Sequence, residues 1–304
     1  VVNPGSGRVA IIGGGITGLS AAWEFTRRAD RPAITVFESD RLGGKLQASS
    51  FAGLDHVDEA ADAFLARVPW ARQLCSELGI TDLVSPATGR AYVWHRKRLH
   101  AIPDGLVLGV PAGLHGLVRS RLLSPFGVAR AALDLVIPRT PPEHDSLGRL
   151  IRDRFGREVA ERLVDPLVGS INAGDADMLS LESSVPQIAG PAATSRSLLL
   201  ALRRNQPTGS DGPVFLTPRR GLGWMAATLT ARLRGLGIEF RTGRPVESID
   251  RDGSAWNVDG EAFDAVILAT PADVAARLLR STSAEASKAL IGIPYAGVVM
   301  VSMH

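Results

Sequence analysis

The sequence predicts an α/β protein in which a βαβ unit at the start is followed by a mainly helical inserted region and a strand-rich return. Three observations carry this prediction. A short apolar run ends in a glycine turn near the start, leucine, valine and alanine recur at helical spacing in the middle, and several short strand patterns follow Gly237. The expected boundaries are residues 1–80, 81–212 and 213–304, with the first and third ranges forming one discontinuous domain.

The composition is that of an ordinary globular protein. The 304 residues include 34 basic and 31 acidic residues, which gives a net charge of +3. Apolar residues make up 45% of the chain, and this share excludes wholesale disorder. So mild a charge does not indicate nucleic-acid binding. All basic residues except Lys45, Lys97 and Lys288 are arginine. The planar fork of arginine suits carboxylates and phosphates, although a GC-rich genome produces the same bias.

Cysteine and hydropathy patterns predict a cytoplasmic protein. Cys75 is the only cysteine, so a disulfide framework and a cysteine-rich metal site are excluded and a reducing compartment fits. The longest uncharged apolar stretches, Gly105–Val118 and Ala289–Met303, are shorter than the roughly 20 residues that cross a bilayer. Peripheral membrane contact stays open. The histidines show no metal-ligand spacing, so no metal site is predicted.

The first element is a strand, glycine turn, helix and strand. Val9–Ile12 is a short apolar run typical of a buried parallel strand, and a helical pattern follows with Leu19 and Ala22 on one face. A second short strand, Ile34–Phe37, ends at Glu38. This order predicts a βαβ unit.

The glycines of the turn follow the pattern of a dinucleotide-binding loop. Gly13 permits a tight turn, Gly15 lets the backbone approach a pyrophosphate, and Gly18 lets the helix pack on the strand. The helix N-terminus offers free N–H groups and positive charge to phosphates. Glu38 stands 20 residues after Gly18, where its carboxylate can accept hydrogen bonds from a ribose. The spacing favours dinucleotide binding over a merely structural turn.

A second glycine loop favours FAD over NAD. Gly43-Gly44-Lys45 follows Glu38 closely, and two glycines before a cation can lie against a dinucleotide and place a charge near its phosphates. A simple NAD domain does not need such a loop. The alternative is an ordinary Gly-Gly turn.

Patterns in the middle of the chain predict further elements. We expect a helix over Asp58–Leu78 interrupted at Pro69, a hairpin over Arg90–Ile102, and helical segments within Gly105–Ile137. Ser146 is an N-cap candidate for a helix through Phe155, and a helix from Arg157 is expected to stop at Asp165-Pro166. Later in the chain Val246–Ile249 reads as a strand.

Two clusters of charged residues have a structural interpretation beside the functional one. The run His95-Arg96-Lys97-Arg98 can meet an anion, but such a run is more often the solvated tip of a hairpin. Asp165, Asp175 and Asp177 are expected to cap loops rather than to act as paired catalytic carboxylates. No nucleophile elbow occurs in the sequence.

These residues carry a resemblance to a known family. The segment from Arg8 to Lys45 resembles the flavoprotein group of amine oxidases, phytoene desaturases and protoporphyrinogen oxidases. The stretch from Asp165 to Asp175, with Ala91-Tyr92-Val93-Trp94, narrows the resemblance to porphyrinogen oxidases of the actinobacterial type. Further similar segments are residues 62–65, 102–105, 179–180, 215–222 and 269–272.

The resemblance implies a Rossmann-like FAD-binding domain with an inserted, mainly helical substrate domain that includes a membrane-proximal region. It implies FAD as the cofactor. It places Gly169, Ser170 and Asn172 near the flavin face, and Arg90 and Asn172 at the substrate. No catalytic acid or base is implied, because the flavin does the chemistry. The implied cofactor-binding residues are Gly13, Gly15, Ile16, Thr17, Gly18, Glu38, Ser39, Gly43, Gly44, Lys45, Val246 and Thr270.

The implied activity is oxidation of a porphyrinogen to a porphyrin in haem biosynthesis, with molecular oxygen as acceptor and hydrogen peroxide released. Coproporphyrinogen III is favoured over protoporphyrinogen IX because it carries more propionates and the inserted region is rich in arginine. Amine oxidation, carotenoid desaturation and a flavin-binding module without turnover stay open. Contact with other haem-pathway enzymes and the oligomeric state are also open.

The chain departs from the family pattern in two places. Ala60 stands where members commonly have glycine close to the flavin. Family chains also continue well beyond the position equivalent to His304, so we expect this chain to lack a C-terminal part.

Overall fold

The computed structural model describes residues 7–87, 91–137, 145–205 and 212–303. Two compact units are present, the first formed by residues 1–87 and 212–304 and the second by residues 88–211. Within the described ranges, no helix is both long enough and apolar enough to cross a membrane.

The elements follow one another in three segments. The first segment contains β1 (Arg8–Ile12), α1 (Ile16–Thr26), β2 (Ala33–Glu38), β3 (Ala48–Phe51), β4 (Leu54–Asp58), β5 (Phe64–Leu65), α2 (Pro69–Glu77) and β6 (Leu83–Val84). The second unit begins with β7 (Tyr92–His95), β8 (Arg98–Ala101), β9 (Leu106–Val107), β10 (Val110–Pro111), α3 (His115–Ser120), α4 (Pro125–Ala132) and a 3₁₀ turn (Leu133–Leu135). It continues with α5 (Leu147–Phe155), α6 (Arg157–Val159), a π-helix (Ala160–Gly169), α7 (Ser170–Asn172), α8 (Leu181–Ser184), α9 (Pro186–Thr194) and α10 (Leu198–Arg204).

The third segment returns to the first unit. It contains β11 (Phe215–Pro218), α11 (Leu222–Gly235), β12 (Glu239–Thr242), β13 (Ile249–Asp252), β14 (Ala255–Val258), β15 (Glu261–Phe263), β16 (Ala265–Leu268), α12 (Ala272–Leu278) and α13 (Ala284–Ile291).

A four-stranded parallel sheet is the centre of the first unit. Its strand order is β12-β2-β1-β16, so the first two strands of the chain are flanked by strands that follow the insertion. Val9 pairs with Ile34 on one side and with Ala265 on the other. Because all four strands are parallel, their carboxyl ends lie at one edge of the sheet.

Apolar layers cover both faces of this sheet. On one face, Ile11 and Val36 are buried against α1 and against Leu229 of α11. On the other face, Ile12 and Phe37 pack against the antiparallel meander β13-β14-β15 and α12. Strands buried on both faces explain the continuous apolar runs in the sequence.

The second unit is a helical cluster with its own core. Its largest buried side chains include Phe155, Ile151 and Leu117. A buried ion pair joins two helical segments, since Arg154 Nε lies 3.5 Å from the Asp134 carboxylate. The other Asp134 oxygen accepts hydrogen bonds from the Ser197 hydroxyl at 2.8 Å and the backbone N–H of Leu199 at 2.9 Å. This carboxylate therefore ties the 3₁₀ turn to α5 and α10.

The predicted helix over Asp58–Leu78 is wrong in its first half. The chain runs as β4 up to Asp58, forms β5, and becomes helical only at Pro69. A long-range contact explains the difference, because the Asp58 carboxylate accepts hydrogen bonds from the backbone N–H groups of Leu222 and Gly223 at 2.9 and 2.8 Å. Pro69 is the first helical residue of α2, where its missing N–H costs nothing.

The predicted stop at Asp165-Pro166 is also wrong. The helical backbone passes through Pro166 as a π-helix that extends to Gly169. A π-helix leaves backbone groups out of the regular α-helical ladder, so the missing N–H of a proline is tolerated there. The Asp165 side chain accepts from the backbone N–H of Ala176 at 3.4 Å, as expected of a loop-capping residue.

Two boundaries also differ from the sequence patterns. The segment Gly105–Ile137 opens with the short hairpin β9-β10 before its helices begin. The strand expected over Val246–Ile249 begins only at Ile249, although Val246 is buried in the same core. Burial alone produced the apolar pattern at Val246, without strand pairing.

Candidate dinucleotide-binding site

Two glycine loops meet at the carboxyl edge of the parallel sheet. The first, Gly13–Gly15, leaves β1 and begins α1, and the Gly13 N–H donates to Phe37 O at 2.8 Å. The second, Gly43-Gly44, lies across it, and the Gly43 N–H donates to Gly14 O at 2.9 Å. The two predicted loops are therefore brought together by backbone hydrogen bonds.

Gly13 and Gly18 are required by the fold itself. Gly13 has φ +108°, and a Cβ there would lie 2.4 Å from Ala269 O. A Cβ on Gly18 would lie 1.9 Å from Gly13 O. Both positions therefore exclude a side chain, the first for turn geometry and contact with β16, the second for packing of α1 on the turn.

Gly15 has a different reason to be glycine. Its backbone is ordinary, with φ −72° and ψ 179°, which any residue adopts. Among the described residues, a Cβ there would contact only Gly44 Cα, at 3.8 Å, which is normal van der Waals contact. The protein alone does not need a glycine at this position. Open space beside the backbone at a helix N-terminus fits a ligand that approaches closely.

The second loop presses its backbone against the first. Gly44 has φ +57°, and a Cβ there would lie 3.0 Å from Gly15 Cα. Lys45 follows with an exposed side chain and forms no ion pair with any residue that the structure describes. Lys45 therefore follows directly on the backbone contact between Gly44 and the N-cap residue of α1.

Glu38 ties the end of β2 to the first glycine loop. One of its oxygens accepts from the Gly14 N–H at 2.8 Å, and the other accepts from the Asp40 N–H at 2.9 Å and the Ser39 hydroxyl at 3.2 Å. The carboxylate lies at the end of β2 and is half-buried. Its remaining lone pairs are available to hydroxyl donors.

The N-terminus of α1 is a source of N–H donors. The helix begins at Ile16, and no side chain caps it because the N-cap residue is Gly15. Thr17, in the first turn, is exposed. An uncapped N-terminus at a sheet edge binds anions through its free N–H groups and its dipole.

A buried hydroxyl without a partner lies at the end of β16. Thr270 follows Ala269, whose carbonyl contacts the first glycine turn, and its Oγ1 is buried and makes no hydrogen bond to any described residue. A buried polar group without a partner costs about 1–3 kcal/mol. A polar ligand group at this edge would satisfy it. Val246, also predicted at the site, has its side chain in the core beneath the meander, so only its backbone can serve a ligand.

The other predicted residues belong to the second unit. Asn172 donates from Nδ2 to Val168 O at 2.9 Å and is exposed. Gly169 O accepts from the Gly174 N–H at 3.0 Å, which closes a short loop around α7, where Ser170 lies. Arg90, the predicted propionate ligand, lies outside the described residues.

Sequence reasoning missed two residues that shape the site. A Cβ on Gly14 would lie 2.5 Å from Leu42 Cδ2 and 2.9 Å from Glu38 Cβ, so a side chain there would displace both of these residues. Asp58 caps α11 from 164 residues away. The run of three glycines was a signal for the first, whereas nothing local signals the second.

The residues present fit a dinucleotide. Open space at Gly15, an uncapped helix N-terminus, a carboxylate at the end of β2 and an unpartnered hydroxyl at Thr270 converge on one edge of the sheet. These groups have the donors, acceptor and charge that a dinucleotide requires. No cluster of three or more metal-ligating side chains occurs within the described ranges.

Three curated proteins are similar over most of the chain. The coproporphyrinogen III oxidase of Bacillus subtilis is 35% identical over 91% of this chain and 63% of its own length. The proteins of the same name from Propionibacterium freudenreichii and Mycobacterium leprae are 34% and 33% identical, over 97% and 96% of this chain and 63% and 66% of their own lengths. The chain thus spans less than two thirds of these relatives.

Solved structures are similar in fold. A structure from Exiguobacterium sp. 255-15, assigned provisionally as a protoporphyrinogen oxidase, is 30% identical with a TM-score of 0.78. The alignment covers 93% of this chain and 63% of the Exiguobacterium chain. The cyclohexylamine oxidase of Brevibacterium oxydans is 16% identical with a TM-score of 0.63, covering 94% and 63%. The second likeness shows the fold alone. Together they confirm the predicted α/β class with a Rossmann-like FAD-binding domain.

The family model described as "Flavin containing amine oxidoreductase" matches residues 16–304. This match and the named relatives confirm the resemblance drawn from the glycine loops and the Asp165–Asp175 stretch, and they confirm FAD as the cofactor. The chain therefore belongs to the flavin-containing amine oxidoreductase family.

Proposed function

We propose that this protein takes part in FAD-dependent oxidation of a porphyrinogen to a porphyrin, with coproporphyrinogen III as substrate and dioxygen as acceptor. The observation that carries the proposal is that relatives at 30–35% identity are named coproporphyrinogen III oxidase. A more distant relative from Bos taurus, 29% identical, is named protoporphyrinogen oxidase. Because the chain spans 63% of the Bacillus relative, the proposal concerns the activity of the whole protein.

The residues that would hold FAD lie on the two glycine loops and the strand ends beside them. The N–H groups at Ile16 and Thr17 would bind the pyrophosphate, which the free space at Gly15 admits. Glu38 would accept hydrogen bonds from ribose hydroxyls, and Lys45 would add a positive charge near the phosphates. The Thr270 hydroxyl would gain the partner that the protein does not supply.

The reaction needs redox chemistry that no side chain provides. When bound, FAD supplies a two-electron acceptor, and removal of six electrons and six protons from a porphyrinogen requires three cycles. With dioxygen as terminal acceptor, three O₂ are reduced to three H₂O₂ for each porphyrin formed. The protein's own residues would bind and orient the tetrapyrrole and exclude water from the reacting carbon.

Substrate residues are expected in the second unit. Arg90 would pair with a propionate, because a buried carboxylate needs a cation or several donors. Gly169, Ser170 and Asn172 would lie near the flavin face. Coproporphyrinogen III is preferred over protoporphyrinogen IX because its additional propionates can pair with further cationic side chains. Each such charge-assisted contact contributes about 1.5–3 kcal/mol.

The test combines cofactor and turnover measurements on the purified protein. We expect flavin absorbance, porphyrin fluorescence that develops from coproporphyrinogen III, and hydrogen peroxide in a three-to-one ratio to porphyrin. Arg90→Ala should lower kcat/KM for coproporphyrinogen III more than for protoporphyrinogen IX. Turnover of amines or polyenes alone would contradict the proposed substrate class, and bound flavin without any turnover would contradict the proposed activity.

A further inference from the structure

The hairpin β7-β8 of the second unit has an exposed apolar face. Val93 points inward and packs on the helical core. Trp94 pairs with Leu99 across the strands, so their side chains share the opposite face, together with Tyr92. These three side chains are 67%, 66% and 52% exposed. Tyr92, Trp94 and Leu99 thus form a small, solvent-exposed apolar platform.

The tip of the same hairpin concentrates positive charge. Arg96, Lys97 and Arg98 are consecutive and exposed, and their side chains make no ion pair or hydrogen bond with any other described residue. Glu158, which is within electrostatic reach of Arg96, forms its ion pair with Arg162 at 2.9 Å. The tip therefore presents three cations to solvent.

The turn residues are costly for the fold. Arg96 and Lys97 have φ 49° and 62°, the left-handed pattern of a two-residue type I′ turn. Asn-Gly is the usual choice at such a turn, because a residue with a long side chain is disfavoured in the left-handed region. Strain of this kind accumulates where a side chain is needed for function. Long cations at this turn point to a role for their charge.

The apolar platform and the cationic tip are close enough to contact the same ligand. Trp94 and Arg96 are two residues apart, about 7 Å along a strand. A ligand that fits has a broad apolar body and several carboxylates on arms at its edge. A lipid surface is a weaker match, because the apolar side chains form one platform of three residues and the cations gather at one end of it rather than around it.

We propose that the outer face of the β7-β8 hairpin binds the tetrapyrrole, with the macrocycle against Tyr92 and Trp94 and propionates at Arg96 and Lys97. This inference rests on the proposed porphyrinogen substrate. Charge complementarity supports it, because coproporphyrinogen carries four carboxylates and the tip carries three unpaired cations. The aromatic faces suit the macrocycle by stacking and burial of apolar area.

The test measures binding of coproporphyrin III, the stable oxidised tetrapyrrole, to the 304-residue protein by porphyrin fluorescence anisotropy. The double substitution Arg96→Asn/Lys97→Gly removes two cations and supplies the preferred type I′ turn. We expect its Tm to be equal to or above that of the wild type while its Kd rises at least tenfold. The rise should be smaller for a porphyrin with two propionates. Trp94→Ala should weaken binding of both porphyrins.

A matched control removes two cations elsewhere in the same unit. Arg203 and Arg204 are exposed at the end of α10, and Arg203→Ser/Arg204→Ser should leave the Kd within twofold of wild type. The proposal is overturned if wild type does not bind coproporphyrin, or if the tip variant and Trp94→Ala both bind it as wild type does. It is also overturned if the tip variant loses only binding to phosphatidylserine vesicles, because the hairpin would then be a membrane contact.

The two proposals fail separately. Oxidation of coproporphyrinogen by wild type, together with unchanged coproporphyrin binding in the tip variant, would remove the hairpin site and leave the proposed function. Absence of oxidation, together with weakened binding in the tip variant, would remove the proposed function and leave the hairpin as a tetrapyrrole site.

Discussion

Gly15→Ala separates the space needed by the cofactor from the space needed by the fold. The backbone of Gly15 has φ −72°, and apart from its chain neighbours the only atom that the structure describes within 4 Å of an added Cβ is Gly44 Cα at 3.8 Å. Alanine therefore fits the protein without strain. Alanine restricts the unfolded chain, which stabilises, but is a poorer N-cap than glycine, which destabilises, so we expect the free energy of unfolding without FAD to stay within about 1 kcal/mol of wild type.

The same methyl group should weaken FAD binding. It occupies the space through which a pyrophosphate would approach the N-terminus of α1. Losing one charge-assisted hydrogen bond costs about 1.5–3 kcal/mol, which corresponds to a rise in Kd of roughly 10- to 150-fold. Flavin content after purification and a titration of the FAD-free protein, followed by flavin fluorescence, measure this effect. Urea unfolding of the FAD-free protein measures the stability.

Two control variants sharpen the comparison. A Cβ on Gly18 would lie 1.9 Å from Gly13 O, so Gly18→Ala should destabilise the FAD-free protein by about 1–3 kcal/mol and lose FAD as a consequence. Gly235 ends α11 with nothing within 4 Å of an added Cβ, so Gly235→Ala should raise stability and leave FAD affinity unchanged. If Gly15→Ala binds FAD within twofold of wild type, the assignment of this space to the pyrophosphate is refuted.

Three further predictions concern charges that hold the fold. Asp58→Ala removes the cap of α11 and should lower the free energy of unfolding by about 1–2 kcal/mol in urea titration, whereas Asp58→Asn, which keeps an acceptor, should lose less. Asp134→Ala removes the buried carboxylate that contacts Arg154 and should cost about 3–5 kcal/mol, and a loss below 1 kcal/mol would contradict the role of this pair. Hydrogen bonds from Arg241 and, to a smaller extent, Arg8 lower the pKa of Glu261 from 4.5 to about 2, so the stabilisation from this carboxylate is present above pH 4.5 and is lost as the pH falls towards 2. Glu261→Gln should reduce the change in unfolding free energy between pH 4.5 and pH 2 by about 1 kcal/mol, a small value because the pair is partly exposed. An unchanged pH profile would exclude this contribution.

The sequence alone determined the elements whose causes are local. The apolar run of β1 and the glycine turn after it were sufficient to predict the βαβ unit, because burial and backbone freedom act residue by residue. The family resemblance and FAD were predicted from the same loops and are confirmed by the family match. The roles of individual site residues toward FAD and substrate stay predictions.

Only the tertiary structure decided features that join distant parts of the chain. The order β12-β2-β1-β16 places strands from both sides of the insertion in one sheet, and no local pattern specifies that pairing. The local pattern placed Asp58 in a helix. It could not show the partner of Asp58, the N-terminus of α11, which lies 164 residues further on. The buried hydroxyl of Thr270 and the open space at Gly15 exist only once the loops have met. A sequence pattern reports what each residue prefers, whereas a binding site also depends on which groups the folded chain leaves without a partner.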